Sequence, residues 1–249
     1  MYEKKLTGKS RIRRIKRKRR IRAVIGGGTC LILCIMAISL MINKIGHKQE
    51  TNIADISETG KADVITTEET EPEVIDISNE VVKGKIPLFL QSDKRWKNKI
   101  YGDDKMEING CGPTCLSMVV CGLSGTSKYD PYTVAQLAEA NGYYVSGSGS
   151  KWTLMSEGAG LLGLTSHEVI FDKEHIKREL EAGNPIICVV GPGDFTTQGH
   201  FIILWSIDDD YNVRIKDPNS KERSKKLWEL DKVMPQIRNL WSYSYETET

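Results

Sequence analysis

Residues 23–42, AVIGGGTCLILCIMAISLMI, run for 20 positions without a charge. At about 1.5 Å of rise per residue such a helix spans roughly the 30 Å hydrocarbon core of a bilayer. A buried core helix of this length would show a polar stripe, and none is present, so the pattern predicts a single transmembrane helix. Its end, Leu40-Met41-Ile42-Asn43, lacks the small-residue pattern of a cleaved signal peptide. Thr29 before Cys30 and Leu33 before Cys34 fit a lipoprotein processing site poorly, so both cysteines read as helix residues. Residues 43–85 are rich in Glu, Asp, Thr and Ser and contain no aromatic residue. Such a segment buries too little apolar surface to offset its ordering entropy, which predicts an acidic disordered stalk.

The pattern shifts at Ile86. All five tryptophans lie beyond it, over a length that supports one well-formed core at residues 86–249. Residues 86–91, IPLFLQ, read as a short apolar entry strand with a polar end. A turn-rich segment leads to Gly110-Cys111-Gly112-Pro113-Thr114, where Pro near the first helical position opens a helix running to Gly122. A second helix is predicted over residues 131–141, with Thr133 and Gln136 in capping-box spacing. Residues 146–150, SGSGS, read as a flexible loop, residues 151–162 as a third helix and residues 173–182 as a fourth after Asp172.

The periodicity then changes. Residues 185–190, PIICVV, form a continuous apolar run, as expected of a strand covered on both faces. Residues 200–205 and 211–215 follow as strands around the acidic turn Asp208-Asp209-Asp210. Helices followed by an antiparallel sheet predict an α+β architecture.

Charge orients this layout. Residues 1–22 hold 12 Lys/Arg against Glu3 alone, a local +11 that leaves −9 for the rest of a chain whose net charge is +2. Beside a transmembrane helix, that block marks the cytoplasmic side and places the C-terminal domain outside. It also makes nucleic acid an improbable partner for the basic arm.

The candidate chemistry centres on Cys111. At a helix entrance, unpaired N–H groups and the helix dipole stabilise a thiolate, the form of cysteine that attacks carbonyls. A small buried apolar residue is the equally ordinary reading of a free cysteine. His200 opens a core strand after the loop at residues 191–199, and Asp217 closes the next strand. If these strands form a hairpin the two residues are neighbours, and an aspartate bonded to an imidazole fixes its tautomer and stabilises the imidazolium. Gln91 is a candidate oxyanion donor together with the Cys111 N–H. Asp194 is an alternative to Asp217 but lacks a strand to hold it.

Leu90-Gln91, Gly110-Cys111-Gly112-Pro113-Thr114, Gly199-His200-Phe201-Ile202-Ile203-Leu204 and Asp217-Pro218, in this order, resemble the papain-like cysteine peptidases related to the bacteriocin leader peptidases that cut after double glycine. The resemblance covers about residues 86–245. It implies a papain-like fold, Cys111 as nucleophile, His200 as general base and acid, Asp217 as its orienter and Gln91 as oxyanion donor. In the transporter-linked members the Gln lies a few residues before the Cys, whereas here a long insert separates them. No G-x-x-x-x-G-K-[ST] occurs, so cleavage after Gly-Gly does not carry over with the resemblance.

The expectation is a bacterial, single-pass, surface-facing cysteine peptidase acting on a peptide or protein substrate without cofactor or metal. A cell-wall peptide amidase of the same fold type, and a catalytically silent peptide-binding module on a stalk, are the alternatives. Cys115, Cys121 and Cys188 read as core residues, without disulfide or metal spacing. His167 and His175 read as surface residues, and Trp152, beside the Gly/Ser loop, as a groove-lining aromatic.

Overall fold

Six strands make one sheet in which every neighbouring pair is antiparallel. They are β1 (Thr165–Glu168), β2 (Ile186–Val190), β3 (His200–Ile207), β4 (Asn212–Lys216), β5 (Leu227–Glu229) and β6 (Ile237–Ser244), in the spatial order β1-β6-β2-β3-β4-β5. The computed structural model describes residues 75–246. The predicted basic segment, transmembrane helix and most of the stalk lie outside the described residues. Among the described residues, no helix is long and apolar enough to cross a membrane.

Alternation along β2 explains why its run is apolar throughout. Ile187 and Val189 face one side, with Phe201, Ile203, Trp241 and Tyr243. Ile186, Cys188 and Val190 face the other, with Ile202, Leu204, Val213 and Ile215. Each face is covered by helices: α1 (Cys111–Ser124) and α2 (Pro131–Ala140) on the first, α3 (Lys173–Glu181) on the second. Each fully buried Ile, Leu or Phe contributes about 1.5–3 kcal/mol of transfer free energy, so the two faces together outweigh any single contact.

Helix α1 is buried from Gly112 through Gly122. The predicted stop at Gly122 moves to Gly125, which adopts φ +79° and donates its N–H to the Cys121 carbonyl at 2.9 Å. Gly122 is instead a close-approach position, where a Cβ would lie 2.6 Å from Ile86 Cδ1. Helix α2 is capped by Asp130, whose carboxylate accepts the Tyr132 and Thr133 N–H groups, so Thr133 is a first-turn residue and not the predicted cap. The predicted third helix breaks at Ser156 into the 3₁₀ turn Trp152–Met155 and the single turn Glu157–Gly160. Helix α3 begins after Asp172, as predicted.

Two boundary expectations change. Residues 75–85, assigned to the stalk, pack on the domain: Ile77 is buried in the core, and Arg95 bridges Glu80 and Asp93 at 2.5 and 3.0 Å. Three apolar side chains, Ile75, Ile77 and Val81, are enough because they add to a core that already exists. Residues 86–91 form no strand. They run along α1 toward its N-terminus: Gly84 N–H donates to the Gly122 carbonyl, Phe89 N–H to Met118 Sδ, and Gln91 N–H to the Pro218 carbonyl.

Candidate active site

Helix α1 places Cys111 at its first turn, with Gly110 before it. The loop after β2 delivers His200 at the first position of β3, opposite Val190. Strands β3 and β4 are hairpin neighbours, with Ile203 opposite Lys216, which brings Asp217 beneath the imidazole. His200 Nε2 donates to Asp217 Oδ1 at 2.8 Å, leaving Nδ1 for the thiol side. Asp217 is fully buried and His200 is 6% exposed.

Both carboxylate oxygens of Asp217 carry a further bond. Oδ1 also accepts the Asn219 N–H at 2.8 Å, and Oδ2 accepts Arg223 Nε at 2.5 Å. The turn that follows makes this possible: Ser220 N–H closes on the Asp217 carbonyl at 3.1 Å with Pro218 at the second position. Ser220 then caps a one-turn helix, Lys221–Lys225, that carries Arg223. Arg223 had no signal in the sequence, since it lies in a run of charged residues that pattern reading assigns to a solvated surface.

Burial raises the Cys111 thiol, but the hydrogen bond and charge of His200, with the Phe201 and Gly112 N–H groups, outweigh it and bring the thiol below its ordinary value. Burial lowers His200, and its bonds to Asp217 and Cys111 outweigh that in turn, raising it to about 9. Burial raises Asp217, yet His200 and Arg223 hold its carboxyl below the usual range. All three directions favour a thiolate–imidazolium pair at neutral pH. Burial alone drives Cys188 up, and Cys115, which donates to the Phe201 carbonyl at 3.4 Å, is also raised well above its ordinary value. Both are core thiols, as is Cys121.

Gln91 reaches the same end of α1 because residues 84–91 run antiparallel to that helix. It is buried, and its Nε2 donates to the Glu107 carbonyl at 2.7 Å and to the Ile108 carbonyl at 3.4 Å. Among the described residues, its Oε1 has no hydrogen-bond partner. Asp194 stands apart from His200. It pairs reciprocally with Gln236, accepting from Nε2 at 2.8 Å and donating its N–H to Oε1 at 2.7 Å. His167 pairs with Glu179, and His175 with Asp172.

A cleft of about 560 Å³ opens over Cys111 and His200. One wall is Val189, Gln198, Gly199 and Phe201, and the other is formed by Asp103, Asp104, Ile108 and Asn109 with residues 147–150 and Trp152. The predicted Gly/Ser loop is a hairpin, Tyr144–Val145 paired with Gly149–Ser150. Asp103 clasps it, accepting from Tyr144 Oη, from Ser146 Oγ at 2.6 Å and from Gly147 N–H at 3.0 Å. Trp152 lines the cleft as expected, half exposed and edge-on to Trp241. Among the described residues, no group of three or more His, Cys, Asp or Glu side chains is arranged to hold a metal ion.

Helices packed on an antiparallel sheet, with a cysteine at a helix entrance facing a sheet-borne histidine, define the papain-like class of cysteine peptidase fold. The family model for the Peptidase_C39-like family matches residues 84–248. The chain belongs to that family and is a cysteine peptidase, a hydrolase. Similar solved structures include the peptidase domain of Streptococcus ComA, a bifunctional ABC transporter involved in quorum sensing, at 18% identity and TM-score 0.43, covering 56% of this chain and 93% of that one. A putative C39-like peptidase from Bacillus anthracis is 16% identical with TM-score 0.39, covering 68% and 98%. A double-glycine-motif protease from an AMS/PCAT transporter, in complex with its leader peptide, is 19% identical with TM-score 0.39, covering 61% and 96%. No curated protein matches the chain.

Proposed function

We propose that this chain is a membrane-anchored peptidase whose C-terminal domain works outside the cytoplasm through Cys111, His200 and Asp217. The observation that carries the reading is the buried 2.8 Å bond from His200 Nε2 to Asp217, with the other face of the imidazole bonded to the Cys111 thiol. The Cys111 thiolate attacks the scissile carbonyl carbon, and the carbonyl electrons move onto oxygen. The Cys111 N–H and Gln91 receive that charge. Gln91 enters this role by freeing the N–H it now holds on Ile108 at 3.4 Å, the longer of its two bonds. His200 gives its proton to the leaving amine, then takes one from water as that water cleaves the thioester and frees the thiolate.

Residues 23–42 anchor the chain and residues 1–22 stay in the cytoplasm.

The test uses the full chain and a library of short peptides read by mass. Cys111→Ala abolishes every cleavage that the parent protein makes. Cleavage retained by that variant overturns the assignment.

A further inference from the structure

The Asp217 carboxylate lies between two cationic side chains, and only one of them belongs to the reaction described above. His200 donates to Oδ1 at 2.8 Å and Arg223 Nε to Oδ2 at 2.5 Å. Arg223 is not an incidental neighbour. Its backbone N–H is fixed on Ser220 Oγ at 3.1 Å and its carbonyl accepts Trp228 Nε1 at 3.1 Å. Ser224, the next residue, accepts the Asp217 N–H at 2.9 Å and donates to the Ser220 carbonyl at 2.8 Å. The turn of residues 217–224 thus closes on itself twice, and both closures aim the guanidinium at the carboxylate.

We propose that Arg223 is a positioning residue of the peptidase site, acting on His200 through Asp217 by sharing the carboxylate's charge. The inference rests on the cysteine-peptidase reading of Cys111 and His200. A buried aspartate with a single cation partner would give all its field to the imidazolium. Shared with a guanidinium, it holds the ring's orientation while its net pull on the ring proton is weaker. His200 then releases that proton to the leaving amine more readily. The other ionisable groups here are Cys111 on α1, bonded to the imidazole, and Cys115 on the same helix, whose buried thiol donates to the Phe201 carbonyl and feels the Asp217 charge. Lys216 on β4 turns away over the Trp205 ring at 5.1 Å, and Glu222 and Lys225 on Arg223's own turn pair with each other.

The geometry separates this role from plain structural support. Asn219 N–H stays on Oδ1 whatever stands at position 223, so the His200–Asp217 bond keeps a second anchor. Arg223 is one quarter exposed, so water replaces it on Oδ2 when the side chain is shortened. Removing its charge therefore shifts the titration of His200 and leaves the fold in place.

The experiment is iodoacetamide alkylation of Cys111 in the full chain across pH 4 to 11, followed by mass, for the parent, Arg223→Gln and Arg223→Lys. The parent shows a rise at acid pH as the ion pair forms and a second step as His200 loses its proton. Arg223→Gln moves the second step upward by about half a pH unit or more, because an unshared Asp217 stabilises the imidazolium further. Arg223→Lys retains a cation and keeps the step near the parent's. If the second step stays put in Arg223→Gln while thermal stability alone falls, Arg223 is structural and the proposal is overturned. A downward shift overturns it as well. If Cys111 of the parent reacts no faster than Cys115 or Cys121, the peptidase reading fails first, which the parent profile alone reveals.

Discussion

The two walls of the cleft are built by opposite means. The inner wall, with His200 and Asp217, belongs to a six-stranded sheet packed on both faces, and its functional side chains are almost wholly buried. The outer wall, residues 103–109 and the hairpin around residues 147–150, is held by polar bonds that converge on the exposed carboxylate of Asp103. Proton transfer needs distances fixed to a fraction of an ångström, which a backbone ladder and a dense core supply. Recognition of a peptide tolerates movement, and a clasp of exposed hydrogen bonds can open at little cost. Under the proposed function, the inner wall carries the chemistry and the outer wall the choice of substrate.

The inner wall gives the largest expected effect. Asp217→Asn sets an amide NH2 against a donor in a fully buried place, whichever way it turns, since His200 and Asn219 donate to one oxygen and Arg223 to the other. The expected loss is about 10³–10⁴-fold in kcat with KM little changed, as found when the orienting aspartate of such a relay loses its charge. The pH profile of kcat/KM is the discriminating measurement. In the parent, activity is expected to rise as pH passes the lowered Cys111 value and to fall as pH passes about 9, the raised value of His200. A raised histidine contributes its stability below its ordinary value and loses it as pH climbs through about 9. Without the Asp217 charge the alkaline limb moves down. An alkaline limb that stays near 9 would mean that Asp217 does not govern His200.

The walls meet at Gly112. A Cβ there would lie 2.6 Å from Ser150 Oγ and 2.8 Å from Ser150 Cβ, so Gly112→Ala must push the hairpin off the start of α1. Ser150 is itself fixed to Tyr101 through a 2.8 Å hydroxyl pair. The variant is expected to lose about 1–3 kcal/mol of stability, measured by urea unfolding, and roughly tenfold in kcat/KM. An unchanged unfolding midpoint would show that the outer wall yields freely and is not seated on the nucleophile's helix.

The same division governs what the amino-acid pattern revealed. Strands β2, β3 and β4 and helices α1, α2 and α3 were legible because packing against one core imposes a period on each. Cys111, His200 and Asp217 were legible because they sit at the ends of those elements. Strand β6 was missed although it is the sheet's inner member between β1 and β2. A register shift between Ile237 and Asn239 spoils its alternation, and its polar Ser242 is buried against Glu179. Strand β1 is a polar edge, Thr-Ser-His-Glu, which looks like a loop. Arg223 was hidden for a related reason, since a lysine and arginine run does not announce which member turns inward. The clasp at Asp103 joins residues about 40 positions apart, beyond the reach of any local pattern.

Asp103→Ala is the mildest change and bears most directly on the outer wall. Hydrogen bonds from Ser146, Tyr144, Gly147 and Asn109 hold the Asp103 carboxyl far below the ordinary carboxylate range. The ionised clasp therefore persists above the ordinary carboxylate value and is lost only as pH falls well below it. Its removal leaves groups that face solvent and rehydrate, so the thermal midpoint is expected to stay within about 2 °C of the parent. The hairpin, freed at its tip, presents Gly147, Ser148 and Gly149 to the substrate in many arrangements instead of one. The expected signature is KM raised about tenfold with kcat within about twofold, which is the loss of binding shared by ground state and transition state. A fall in kcat at unchanged KM would place the clasp with the chemistry, and the division between the two walls would not stand.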